Sequence, residues 1–164
     1  LVPDALNSVT DFRIGGFTGV TMSQLAAPAR IIVVSLVLLL TLSHQLDILS
    51  LGTDTAKSLG LAVGRMRIVF LILAAALAGA AVSFAGLLGF IGLIVPHIMR
   101  RLAGEDSGIL LAATALGGAL FMVLCDLVAR VLFSPFEIPV GIVLSFAGAP
   151  FFLWLLFRQR GGRV

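Results

Sequence analysis

The chain has 164 residues, of which 60% are hydrophobic and only 12% charged. A water-soluble domain carries charge on about a quarter of its residues, so this composition, with a mean hydropathy of +1.17, excludes one and places the chain in a bilayer. The net charge of +3 would suit nucleic acid as a partner, but the cations lie between apolar runs rather than along one solvated face, which points to a membrane protein with a positive inner side and no nucleic acid. The single Cys125 excludes an internal disulfide, and its apolar surroundings assign it to packing. The opening Leu1-Val2-Pro3-Asp4 is neither an initiator Met nor the start of a signal peptide, and reads as a piece of something longer.

In chain order, the first apolar span covers about 26–46, with Pro28 and Arg30 near its start. A span needs about 20 apolar residues to cross roughly 30 Å of hydrocarbon. Next comes "SLGTDTAKSLGLAVGRMR", residues 50–67. Thr53 suits an N-cap, Asp54 the first turn and Gly60 the end of a helix of barely two turns. So short a helix is not stable alone. It docks either on the chain's own helices or on a partner, and the residues themselves leave both open.

Residues 68–99 then run for 32 positions without a formal charge. One straight helix of that length would measure about 48 Å, well beyond the hydrocarbon thickness. The segment must turn, and Gly86, Gly89 and Gly92 mark the place because glycine accepts backbone conformations other residues avoid. This gives a full span over about 68–87 and a short return over about 90–101, whose end Arg100 and Arg101 carry to the surface by snorkelling. Two further spans follow over about 108–133 and 138–157, making about five membrane passes, one of them short and re-entrant. The fold class is therefore an all-α membrane protein, a polytopic helix bundle forming a single domain over 1–164.

Orientation supports that parsing. With alternating passes, Lys57, Arg65, Arg67, Arg100, Arg101, Arg158, Arg160 and Arg163 share one side, eight of the eleven cations. Only Arg13, Arg30 and Arg130 remain for the other. The rule that cations stay inside then puts the 50–67 segment and the C-terminus in the cytoplasm. Small residues at four-residue spacing, Ala75, Gly79 and Ser83, and again Ala113 and Gly117, suit ordinary packing between helices.

Few residues offer chemistry. His97 follows Pro96, and the other histidine, His44, brings no cysteine pair or HExxH pattern with it, so a metal is not indicated. Pro96 is expected to bend the short helix and His97 to bond a carbonyl freed by it. Asp126 and Arg130, four apart on one helix, can pair and so lower the cost of charge near the membrane; alternatively Arg130 faces an acidic partner. There is no GxSxG and no GxxxxGK[ST] phosphate loop, so ATP hydrolysis would have to occur on another chain. An intramembrane enzyme would need clustered polar side chains, whereas Ser83, His97, Thr114 and Ser145 are scattered.

Several stretches, "LGTDTAKSLGL", "GFIGLIVPHIMRRLAGED", "CDLVAR", "FEIPVGIV" and "GAPFFLWLL", with "FRIGGFTGVTMSQL" near the start, occur in the order and spacing of one family. The chain resembles the FecCD-family permease subunits of type II ABC importers for iron-siderophores, haem and cobalamin. Permeases of that family are about twice as long, so the resemblance is to their C-terminal half. It implies two permease subunits or halves around a translocation path in the bacterial cell membrane. It further implies ATPase subunits that bind ATP below and a substrate-binding protein docking from outside, with no cofactor or metal on this chain.

By the same resemblance, the cytoplasmic segment contains coupling helices that seat on the ATPase, carried by Leu51, Gly52, Thr53, Ala56, Lys57, Leu59 and Gly60. Arg130 matches an arginine that meets a carboxylate of the binding protein. Gly86, Gly89, Gly92, Pro96 and His97 form a joint between moving spans. One departure stands out: the family usually has His-Arg after Gly-x-Asp, whereas Ser107-Gly108 follows Gly104-Glu105-Asp106 here. A truncated permease that no longer assembles is the alternative reading, with an intramembrane enzyme behind it.

Overall fold

The computed structural model describes residues 15–17, 20–132 and 138–160. Among them every regular element is an α-helix. The first, α1 (Met22–Thr41), starts after Thr21, whose N–H donates to Gln24 Oε1 at 3.3 Å. It stops earlier than the sequence suggests. Thr41 turns its hydroxyl back onto the Leu38 carbonyl at 2.8 Å, a bond that competes with the helical ladder and bends helices. The chain kinks at Leu42 and continues as a separate helix, α2 (Ser43–Ser50), so the first span ends at Thr41 rather than near residue 46.

Beyond Gly52 comes α3 (Thr53–Ser58), and then α4 (Val63–Ala85), which takes in Arg65 and Arg67 and runs for about 34 Å. The long uncharged run breaks at 86–90 as expected. The return helix α5 (Ile91–Ala103) has 13 residues and is too short to cross alone. Next are α6 (Ser107–Leu132) and α7 (Val140–Arg160). Four described helices, α1, α4, α6 and α7, are long and apolar enough to cross a membrane.

In space α1 lies against α4, α5 against α6, and α7 against both α5 and α6, while α2 packs on the start of α6. The core is small and sits at the break. Cys125, Val140 and Leu144 are buried there, packed by Phe17, Leu88, Phe121, Met122 and Val143. Elsewhere large apolar side chains stand uncovered by this chain, Leu116 and Phe146 among them. So much exposed hydrocarbon is stable only against lipid or further protein. The two small-residue ladders differ: Gly117 receives Met99, whose sulfur and terminal methyl would touch any added Cβ, while Gly79 has no neighbour within 4 Å. Ala75, Gly79 and Ser83 therefore face outward from the chain.

The start of α6 is tied twice. Asp106 caps it from within, its Oδ1 accepting from the Ile109 N–H at 3.1 Å, a device worth about 1 kcal/mol in a typical helix. Asp47 on α2 supplies the second tie, its Oδ1 accepting from the Ser107 N–H at 3.0 Å. Hydrogen bonds from the Ser107 hydroxyl and then from its N–H hold the Asp47 carboxyl below the usual carboxylate range. A carboxyl with a lowered pKa adds stability that is complete at neutral pH and is lost as pH falls through the lowered value. The difference in melting temperature between the natural protein and Asp47→Asn should therefore be constant from pH 8 to about pH 5, and should shrink below about pH 4, where carboxylates take up protons.

Candidate functional site

Two regions at opposite ends of α4 carry the residues singled out by the sequence. At the cation-rich end, α3 is a six-residue helix that could not persist unaided. Three local features hold it. Gly52, not Thr53, is its N-cap: the backbone turns there at φ 102°, a value side-chain-bearing residues rarely adopt, and Thr53 becomes the first helical residue. At the other end the Gly60 N–H bonds the Lys57 carbonyl at 2.9 Å and the Leu61 N–H bonds the Ala56 carbonyl at 3.0 Å. With Gly60 at φ 82° this is a Schellman stop, and a glycine takes it without strain.

The third feature is Ala56, which is 0% exposed and anchors α3 on the rest of the chain. The other residues from Ser50 to Gly60 are all exposed. Leu51 and Leu59 are 63% and 61% exposed, with Lys57 exposed between them. Both docking options left open by the sequence thus have their residues: Ala56 faces inward, and Leu51, Lys57 and Leu59 face away from the chain.

At the far end of α4 lies the break. Gly86 ends α4 at φ 69°, and its N–H still reaches the Val82 carbonyl at 3.0 Å. The second unusual residue is Phe90, with φ 64°, and neither Gly89 nor Gly92 has a positive φ. The turn is therefore made at Gly86 and Phe90, which corrects the expectation that the three glycines make it. Gly148 on α7 is what holds Phe90: a Cβ at that position would overlap the Phe90 Cβ and Cγ. A left-handed phenylalanine costs about 1–2 kcal/mol, and packing between α5 and α7 offsets it.

Residues 15–17 complete the joint. The Gly16 N–H donates to the Ala85 carbonyl at 2.9 Å, satisfying one of the acceptors a helix end leaves open. The Gly141 N–H donates to the Gly15 carbonyl at 3.3 Å, and Phe17 stacks on Phe84 with ring centroids 6.4 Å apart. Gly15 lies so near the chain that a Cβ would come within 2.8 Å of the Leu87 carbonyl oxygen. Non-helical backbone at membrane depth is tolerated only when protein or water surrounds it; this chain buries Gly86 and leaves Leu87 and Gly89 exposed.

Pro96 and His97 lie on α5, away from the turn. The expected bond from His97 to a freed carbonyl is not made through Nε2, which is buried without a partner. The ring instead meets Phe151 edge-on, centroids 5.8 Å apart at 72°. Arg130 does pair with Asp126, Nε to Oδ2 at 2.8 Å, yet its side chain is 52% exposed. An i,i+4 pair so open is worth roughly 0.5 kcal/mol or less. Asp126→Asn should accordingly leave the melting temperature of the purified protein within about 2 °C of the natural value. Among the described residues no three metal-ligating side chains cluster.

Sequence reasoning missed Gly148 and Asp47. The first appeared only inside a quoted stretch, and nothing local in "GAPFF" says that an aromatic from another helix rests on it. The second had a signal, because the polar run His44, Gln45, Asp47 after Thr41 could have ended the first span.

Comparison with known proteins matches residues 1–158 to the FecCD transport family. The haemin transport system permease protein HmuU of Yersinia pestis is 41% identical over 152 residues, covering 93% of this chain and 46% of that protein. The Fe(3+) dicitrate transport system permease protein FecD of Escherichia coli is 38% identical over 158 residues, covering 96% and 50%. A solved structure described as a metal-chelate type ABC transporter in an inward-facing conformation superposes with a TM-score of 0.85 at 35% identity, over 93% of this chain and 50% of that one. The chain thus spans about half the length of the relatives it matches. With a family match over residues 1–158 and the fold of that solved transporter over 93% of its length, this multi-pass membrane chain belongs to the FecCD transport family.

Proposed function

We propose that the chain forms part of the permease of an ABC importer for a metal chelate of the siderophore or haem class, and that it drives alternating access through α3. The exposure of Leu51, Lys57 and Leu59 on and beside α3 carries this reading. Those side chains lie at the cation-rich end, where the cytoplasm is expected and lipid does not cover them, so a partner protein is suited to do so. Partner ATPase subunits there bind and hydrolyse ATP, and the charge rule assigns the cationic C-terminal sequence to the same side. The permease supplies the path and performs no covalent chemistry. The haemin transport of HmuU and the Fe(3+) dicitrate transport of FecD support haem or ferric chelate as the cargo class.

On the outer side Arg130 meets a carboxylate of the substrate-binding protein, and its exposure supports that role. Arg130→Glu should weaken binding-protein affinity for the assembled transporter by about tenfold or more, in line with charge reversal at a docking pair, and titration calorimetry measures it. A second permease subunit or half completes the path. Bilayer insertion is in the bacterial cell membrane.

Isolation of the tagged chain from membranes of its host tests the assignment. Recovery of an ATPase subunit, lost in Leu59→Asp, is the expected result. An intact membrane chain with no ATPase attached would instead mark a remnant that no longer assembles.

A further inference from the structure

Resting on the coupling role of α3, we infer that Asp47 is a positioning residue that carries movement of α3 into the membrane by holding α2 on the first turn of α6. The placement of α2 is the starting point. It leads into α3 through Leu51 and Gly52, and it packs on both α3 and α6. Yet its seat on α6 is not continuous. An open cavity of about 530 Å³ lies between α2, α5 and α6, and Leu46, Leu49, Pro96, Arg100, Ser107 and Thr114 are among its lining.

The tie lies at the rim of that cavity. Asp47 Oδ1 accepts from the Ser107 N–H at 3.0 Å. One residue on, an added Cβ at Gly108 would come within 3.1 Å of Ser43 Oγ, so the backbone of α6 runs close against α2. A hydrogen bond to an ionised carboxylate is about twice as strong as a neutral one. Displacement of α2 is passed to α6 where the two helices touch, and this tie is the polar contact there. Gly108 allows the close approach, and the backbone N–H of residue 107 supplies the donor.

The site's chemistry allows the tie to be cut from either side. Asp47→Ala removes the acceptor. Ser107→Pro removes the donor N–H, and proline is well accepted at the first position of a helix, so α6 itself persists. Asp47→Asn keeps an acceptor oxygen without the charge. Each variant would be purified as the complete transporter, and ATPase activity measured with and without the purified substrate-binding protein. In both Asp47→Ala and Ser107→Pro the stimulation should fall about tenfold, the effect of losing one charge-assisted hydrogen bond, with basal hydrolysis unchanged and Asp47→Asn intermediate. A purely structural role would lower yield or melting temperature and leave that ratio alone. Unchanged stimulation in both variants, in a complex that hydrolyses ATP, would overturn the role of the tie and spare the importer reading. Failure of the natural chain to hold any ATPase would overturn both.

Discussion

Replacing Gly148 with leucine should collapse the joint between α4 and α5. Even the first side-chain carbon would overlap the Cβ and Cγ of Phe90. Phe90 cannot easily give way, because its backbone is already in the left-handed region at φ 64°, where few alternatives exist for a residue with a side chain. Overpacking a close contact costs typically 1–3 kcal/mol, and a rigid neighbour puts this case at about 3 kcal/mol or above. Unfolding followed by Trp154 fluorescence should show a large fall in melting temperature, with transport abolished. A partner substitution sharpens the result. Phe90→Gly removes the overlapping ring and relieves the positive φ, so the double variant should regain more than half of the loss, whereas additive losses would show that the two residues do not act through one contact.

The second large effect is expected at Gly60. A Cβ there meets open space, so no clash is at stake. The backbone is the issue, because φ is 82° and a β-branched residue is a genuine outlier in that region. Gly60→Val should cost about 1–3 kcal/mol locally, enough to undo the Schellman stop and unseat the two-turn helix before it. Stimulated ATPase activity of the assembled transporter should drop by at least about tenfold, with membrane insertion unaffected. Lys57→Glu, which keeps the backbone and reverses an exposed charge, should reduce stimulation as well. Gly64→Ala is the control: the position is helical and has open space around it, so activity should stay as it is and helix stability should rise slightly.

Much of the fold was legible because a membrane chain announces its spans by composition. Length alone required 68–99 to turn, and the turn is found at 86–90. Helix ends were less legible. Thr53 looked like a cap by side chain, but the reversal between α2 and α3 needs a positive φ, and that requirement gave the cap to Gly52. The same logic reversed at the joint, where three glycines suggested the turn and a phenylalanine makes part of it. Local sequence rules see the cost of a left-handed phenylalanine and cannot see the contact from α7 that offsets it.

The candidate site divides in the same way. The coupling residues were placed by resemblance, and their inward and outward faces emerged only once Ala56 was seen buried and Leu51 and Leu59 bare. His97 shows the reverse, since proximity to Pro96 suggested a carbonyl partner and the ring turned to Phe151 instead. Long-range ties such as Asp47 to Ser107, sixty positions apart, leave no periodic trace in a single sequence.

The central claim is that the exposed residues on and beside α3 seat on an ATPase subunit, and cross-linking tests it most directly. Leu59→Cys and, as a control, Leu116→Cys on the uncovered face of α6 would each be labelled with a photoreactive maleimide in host membranes and illuminated. The account predicts a covalent adduct with an ATPase subunit from residue 59 and none from residue 116. Labelling of residue 59 that yields only lipid or the permease itself, in membranes where the ATPase is present, would contradict it.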